Sequence, residues 1–330
     1  MLVERYKLFK IILALFSLAI FANANNLAKI YLNQGIDAVE KVLEQELSKK
    51  DFWLDEIKDK NVSLGYYEEN VAIVLTNKSD KIIRVYHYND GKVEKKFIQK
   101  DVLTGLAGDK EIEGDLKTPI GFYELGKKFY PGDPYYGPFA FATTYPNVLD
   151  KTLGKTGGGI WIHGYPLDGT RLDTYKTRGC IAVQNDLLED FNKLVADRKA
   201  YAMTEEKNKV RANHEEVAIL LANLFAWKDS WQKSDINKYL SFYDKNIFKH
   251  KNKFSYEQFA KNKERIFAKK EEKTIKFSDL SISPYPNEKN EKIFRIGFYE
   301  DYRSTNYKFK GEKVLYVKLV EDKMQILAEQ

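Results

Sequence analysis

The chain has 330 residues, enough for two domains at roughly 150 residues each. Its 43% hydrophobic and 31% charged content excludes a disordered or membrane-embedded polypeptide. A net charge of +6 is not the basic excess expected of a dedicated nucleic-acid binder, and a single cysteine excludes an intrachain disulfide framework or a multi-cysteine metal site.

The N-terminus reads as a targeting segment. Arg5, Lys7 and Lys10 precede an apolar run from Ile11 to Phe21, and Ala22-Asn23-Ala24 then supplies small residues at a cleavage site. That order is a secretory signal peptide, residues 1–24, cleaved after Ala24. The competing reading, an uncleaved anchor, requires a span of about 20 apolar residues, and this run is shorter. The expected mature protein is exported to the periplasm without stable membrane insertion. There an unpaired thiol is tolerated only when buried or when its chemistry is needed, so Cys180 is either a core residue or a reactive one.

Leu27, Ile30, Ile36, Val39, Val42, Leu43 and Leu47 recur at three- and four-residue spacing, which predicts an amphipathic helix over about 27–49 within an N-terminal arm, 25–65. Its apolar stripe needs a partner, either the chain's own domain or a second copy in a homodimer. From residue 66 the period changes to that of strands. Val71–Leu75, Ile82–Tyr88 and Val93–Ile98 are β-branched and aromatic, and Asn89-Asp90-Gly91 is a hairpin turn signal. Short strands broken by glycine and proline continue to Val183, and Asn185–Val195 has helical spacing with Asn185 or Asp186 as its N-cap. The expectation is a β-rich domain over 66–204 and a polar linker at 205–216. A smaller α+β domain follows at 217–330, with helices over Val217–Tyr243 and Ser255–Lys269 and then antiparallel strands.

The segment Ile160–Val183 carries the candidate chemistry. His163 ends a hydrophobic strand, and Cys180 follows seventeen residues later, after a glycine. A thiol nucleophile needs a base nearby and small neighbours that let backbone N–H groups face an oxyanion. By itself a Cys–His pair at this spacing says little.

The surroundings of the pair are more specific. His163-Gly164 and Thr177-Arg178-Gly179-Cys180, with Thr104-Gly105, Thr118-Pro119-Ile120-Gly121 and Tyr145-Pro146-Asn147 in order before them, resemble the YkuD family of L,D-transpeptidases over about 71–203. The resemblance implies a β-rich catalytic domain acting on peptidoglycan stem peptides, with no metal and no cofactor. It makes Cys180 the nucleophile and His163 its base, oriented by the Gly164 carbonyl, with the Gly179 and Cys180 amides facing the oxyanion. Arg178 stands where the transpeptidase signature has histidine, and Ala182 where Arg or Asn is usual; the pattern is similar to the YafK-type branch, which includes hydrolases. Arg178 could grip a terminal carboxylate or make only a structural ion pair. Arg171 is a second candidate for that carboxylate, and Thr177, Trp161 and Tyr165 complete the expected substrate-binding set.

Trp227, Trp231, Asp235, Tyr239, Tyr243 and Phe248, then Tyr302-Arg303-Ser304 and Ile326-Leu327-Ala328-Glu329, resemble an NTF2-like domain, a curved sheet around a pocket. Its expected role is substrate positioning or glycan binding. The layout as a whole is similar to the cell-shape-determining L,D-carboxypeptidases of helical and curved bacteria. The resulting expectation is a carboxypeptidase removing D-alanine from tetrapeptide stems; the alternatives are an L,D-transpeptidase on the same site and a non-catalytic wall-binding scaffold. His87, His214 and His250 are too far apart in sequence for a zinc triad, and Glu111, Glu113 and Asp115 lack EF-hand spacing. The basic run 249–276 reads as a wet helix face.

Overall fold

The computed structural model describes residues 25–170, 172–173, 177–249 and 254–330. The expected signal segment 1–24, Arg171, His250 and the start of the basic run lie outside them. The chain divides into two compact units at Lys49/Lys50.

In the N-terminal unit the expected single helix is two, α1 (25–34) and α2 (Ile36–Leu47), because Gly35 between them takes φ +80, a conformation that glycine tolerates and a helix does not. None of the α2 residues is buried, and Tyr31, Leu32, Ile36 and Leu43 are exposed.

The rest of the expected arm belongs to the second unit. Helix α3 (Lys50–Ile57) buries Trp53 and Ile57, and Trp53 stacks on Phe225 at 5.5 Å. β1 (Tyr66–Tyr67), expected to open the catalytic domain, pairs instead with β10 (Lys273–Pro284) of the C-terminal sheet. Two residues are too short to carry a signal of which sheet they join.

The β-rich region forms an eight-stranded mixed sheet. Its order is β4 (Lys92–Lys100), β3 (Ile82–Asn89), β2 (Val71–Asn77), β9 (Lys199–Glu205), β5 (Gly121–Phe129), β6 (Ala140–Thr143), β7 (Trp161–His163) and β8 (Ile181–Ala182). Asp90 and Gly91, both at positive φ, close the β3–β4 hairpin as the sequence predicts. Leu103, beyond β4, bridges Ala182 on β8, so the sheet curls until its two edges meet.

Strand β2 is buried along its whole length, which explains its continuous apolar run. Ala72 and Val74 face one core together with Ile162, Ile181, Val183 and helix α5 (Asn185–Val195). Val71, Ile73 and Leu75 face the other, with Tyr201, Met203 and, from the C-terminal region, Tyr285, Tyr316 and Leu327. One strand thus joins the two sheets through a shared apolar core, each fully buried aliphatic side chain contributing about 1.5–3 kcal/mol.

The C-terminal sheet runs β1-β10-β11-β12-β13, with β11 (Ile293–Ser304), β12 (Lys308–Val320) and β13 (Lys323–Glu329) antiparallel. The expected helix over 217–243 is broken at Ser234, φ +59, into α6 (His214–Gln232) and α7 (Ile236–Leu240), with Asp235 capping the second. α8 (Tyr256–Phe267) starts at a Ser255–Gln258 capping box.

Candidate active site

Strands β7 and β8 run parallel, with Ile162 opposite Ile181 and His163 opposite Ala182. Both isoleucines point into the apolar core. Strand alternation therefore puts Trp161, His163 and Cys180 on the other face, with Cys180 level with Trp161 and diagonal to His163. The Trp161 N–H donates to Cys180 Sγ at 3.4 Å, and the thiol donates to Gly159 O at 3.4 Å.

His163 is fully buried, and its Nδ1 lies 2.6 Å from Gly164 O. A carbonyl only accepts, so this contact assigns the ring proton to Nδ1 and leaves Nε2 as a bare lone pair. Nε2 is buried and has no hydrogen-bond partner. Burial lowers His163 to about 4, against the Gly164 bond that favours the charged ring. Burial also pushes the Cys180 thiol up to about 11, with the Trp161 N–H and the Lys110 charge opposing it. At neutral pH the resting pair is therefore a thiol and a neutral imidazole, not an ion pair.

The backbone around both residues leaves no room for side chains. A Cβ on Gly164 would run into Asn185 Oδ1 and come within 2.8 Å of Pro138. Asn185, expected as a helix cap, is the first residue of α5 and caps nothing. Its amide instead clamps Tyr165, accepting from Tyr165 N at 2.7 Å and donating to Tyr165 O at 3.0 Å. Gly179, at φ +96, would put a Cβ 2.5 Å from Lys117 O. Gly105 lies against Gly179 from the same side, and its N–H donates to Thr118 Oγ1 at 2.8 Å. The Thr104-Gly105 and Thr118-Pro119 landmarks are thus the wall behind the turn that carries Cys180.

Of the substrate-binding candidates, Arg178 is exposed at φ +52, a non-glycine residue in the left-handed region. It and Gly179 are the central pair of a mirror-type turn that the Cys180 N–H closes on Thr177 O at 2.9 Å. In this state the Cys180 amide is thus engaged inside the turn. Thr177 is buried, its backbone building the same turn. Trp161 is half-buried between Phe129 and Tyr136, with ring centroids at 5.0 and 4.8 Å, and Tyr165 is also half-buried.

The sequence reading missed Tyr135 and Tyr136, on a one-turn 3-10 helix (Pro134–Tyr136). The Tyr136 ring meets His163 edge-on at 5.1 Å and its carbonyl accepts from Gly164 N at 3.1 Å. Burial raises both phenols, and the Arg178 charge opposes the shift in each. The run Asp133-Pro134-Tyr135-Tyr136-Gly137 reads as a turn, but nothing in it points to a histidine 27 residues later.

The C-terminal sheet and helices enclose a separate cavity of about 620 Å³, lined by Trp231, Lys263, Glu300, Tyr302, Lys313 and Glu329 among others. Burial raises Glu300 to about 7, with Lys313 and Lys263 opposing it, and burial lowers Lys263. Lys263 sits over the rings of Trp231, Tyr239 and Phe259 at 5.2–5.3 Å.

A curled β-rich domain with a Cys–His site, fused to an NTF2-like pocket, defines a class. Residues 71–210 match the YkuD L,D-transpeptidase catalytic domain, 219–330 the Cds6 C-terminal NTF2-like domain, and 23–58 the N-terminal dimerization domain of the cell-shape-determining Csd6. The chain is 66% identical to the helical cell shape determining protein Pgp2 from Campylobacter jejuni, over 86% of this chain and 100% of that one, with a TM-score of 0.83. A point mutant of Pgp2 aligns at 65% identity over 87% of this chain and 99% of that one, with a TM-score of 0.85. Bd1075 of Bdellovibrio bacteriovorus shares the fold at 24% identity, over 82% of this chain and 97% of that one, with a TM-score of 0.63. None of the curated proteins is significantly similar. The chain belongs to the family of YkuD-domain proteins with an NTF2-like C-terminal domain that includes Pgp2. Among the described residues no helix is long and apolar enough to cross a membrane.

Proposed function

We propose that the protein is an exported peptidoglycan L,D-carboxypeptidase that removes the terminal D-alanine from tetrapeptide stems and so contributes to cell shape, the property for which its relative Pgp2 is named. The observation that carries the enzymatic reading is the bare, buried Nε2 of His163 on the same face as the sole thiol. A polar atom left unpaired at a cost of about 1–3 kcal/mol fits a group kept for proton transfer.

In this mechanism His163 Nε2 takes the thiol proton as Cys180 Sγ attacks the carbonyl of the diaminopimelate L-centre. The oxyanion is met by the Gly179 and Cys180 amides, the latter exchanging Thr177 O for the substrate oxygen. Collapse breaks the C–N bond, His163 returns the proton to the departing D-alanine amine, and a thioester remains. Water, deprotonated by His163, hydrolyses it and restores the thiol. Arg178 supports carboxypeptidase specificity. An exposed cation at a strained positive φ, two residues before the thiol in the same turn, would receive the D-alanine carboxylate bidentately.

The N-terminal unit is proposed to pair with its copy in a homodimer, which would cover Tyr31, Leu32, Ile36 and Leu43. The NTF2-like cavity is assigned a substrate-positioning or glycan-binding role.

The test is incubation of purified muropeptides with the mature protein and with Cys180→Ala, followed by chromatography and mass analysis. Tripeptides formed from tetrapeptides only with the intact thiol support the proposal. New crosslinked dimers or exchanged D-amino acids would establish the transpeptidase. No change with either protein would leave the wall-binding scaffold.

A further inference from the structure

The wall behind Gly179 is held from the C-terminal domain. The segment 105–120 touches Gly179 through Gly105 and Lys117, as described above; Asp115 gathers the bonds within it, from Lys110 Nζ and the Glu111, Ile112 and Lys117 N–H groups, and Asp109 ties it to its surroundings. Asp109 Oδ1 accepts from Ile120 N at 2.7 Å and its other oxygen pairs with buried Lys155, while its own N–H donates to Glu288 Oε1 at 3.0 Å. Glu288 lies in the turn between β10 and β11, and its carbonyl also accepts from Asn208 Nδ2 at 3.2 Å. Lys155 Nζ lies 3.7 Å from Asp150 Oδ1, which accepts from the Tyr285 hydroxyl at 3.4 Å. Tyr285, from the same turn, accepts from Asn147 Nδ2 at 3.0 Å, and its hydroxyl would lie 2.7 Å from a Cβ on Gly121.

We propose that Glu288 and Tyr285 of the NTF2-like domain are positioning residues for the Cys180 nucleophile, acting through Asp109 and the 105–120 segment on the turn that carries Gly179 and Cys180. This rests on the reading of Cys180 as the nucleophile. The physical reason is that Gly179 has no freedom of its own. A Cβ on it would meet Lys117 O and Ile160, so the turn is packed against the wall without room between them. The wall's inner side meets the turn of Gly179, and its outer side is tied to Glu288 directly and to Tyr285 through Asp150 and Lys155. The C-terminal domain is then part of the catalytic framework as well as a ligand pocket.

Because Cys180 is the only cysteine, its alkylation by iodoacetamide reports the position of the turn without any substrate. In the full mature chain, Glu288→Ala removes the acceptor for Asp109 N–H, Glu288→Gln keeps an oxygen there, and Tyr285→Phe removes only the hydroxyl. The expected result for Glu288→Ala is a several-fold faster alkylation at pH 8 with a shifted pH profile. Turnover of tetrapeptides should fall about tenfold with KM little changed, as a small misplacement of reacting groups produces. Glu288→Gln should return most of both effects, and Tyr285→Phe should move alkylation in the same direction. Alkylation profiles of Glu288→Ala and Tyr285→Phe that superimpose on the parent at 25 °C overturn the proposal, whatever happens to melting temperature, because simple domain adhesion would change only the latter. Residual turnover in Cys180→Ala would instead overturn the nucleophile assignment, and the alkylation result would still decide the positioning role.

Discussion

The buried neutral imidazole of His163 makes a quantitative prediction about acid stability. Its folded value of about 4 lies below its ordinary value of 6.5. Between those two pH values the unfolded chain binds a proton there that the folded chain does not. Stability from this group is therefore fully present above pH 6.5 and is lost as pH falls toward 4. At 1.36 kcal/mol per pH step, the loss is about 3 kcal/mol. Asp150 works in the opposite sense, since its carboxyl is raised to about 6, chiefly by burial. Folding gains from its protonation as pH falls from 6 toward 4. Measuring the parent alone would mix the two. The perturbation is His163→Asn, a polar residue without a proton to bind, and Asp150 is present in both proteins. Urea unfolding followed by tryptophan fluorescence at pH 7, 5.5 and 4.5 gives the difference directly. The parent should lose about 2–3 kcal/mol relative to His163→Asn between pH 7 and 4.5. Parallel stability curves for the two proteins would refute the assignment of a buried neutral base.

Two further outcomes follow from the same geometry. Gly164→Ala places a methyl on the Asn185 amide and forces loss of its two bonds to Tyr165. Overpacking of this kind should lower stability by about 1–3 kcal/mol in chemical denaturation, and turnover should fall more than in Asn185→Ala, which loses the same two bonds without overpacking. Removing residues 1–49 takes away the whole N-terminal unit. By light scattering the mature chain should have the mass of a dimer and the shortened chain that of a monomer; equal oligomeric states would sink the pairing of the arm.

Local rules determined much of this protein in advance. The Asp90-Gly91 turn has only one comfortable hairpin geometry, and the strands at 71–77, 82–89 and 92–100 follow from β-branched runs around it. The wedged glycines, 164 and 179, stand beside the histidine and the cysteine where the motifs put them. Other features needed the tertiary structure. Asn185 has the identity of a helix cap, yet two backbone groups of Tyr165, twenty residues away in sequence, compete better for its amide. Tyr136 reaches His163 only because β6 and β7 are neighbours in the sheet. Trp53 lies in a stretch read as an arm and Tyr66 at the expected start of the catalytic domain, and both join the C-terminal domain because α6 and β10 offer them apolar surface and an open strand edge. The state of the reactive pair was least legible of all. A histidine and a cysteine spell the same letters whether charged or neutral, and it is burial, with desolvation acting on both, that makes this pair a thiol and an imidazole.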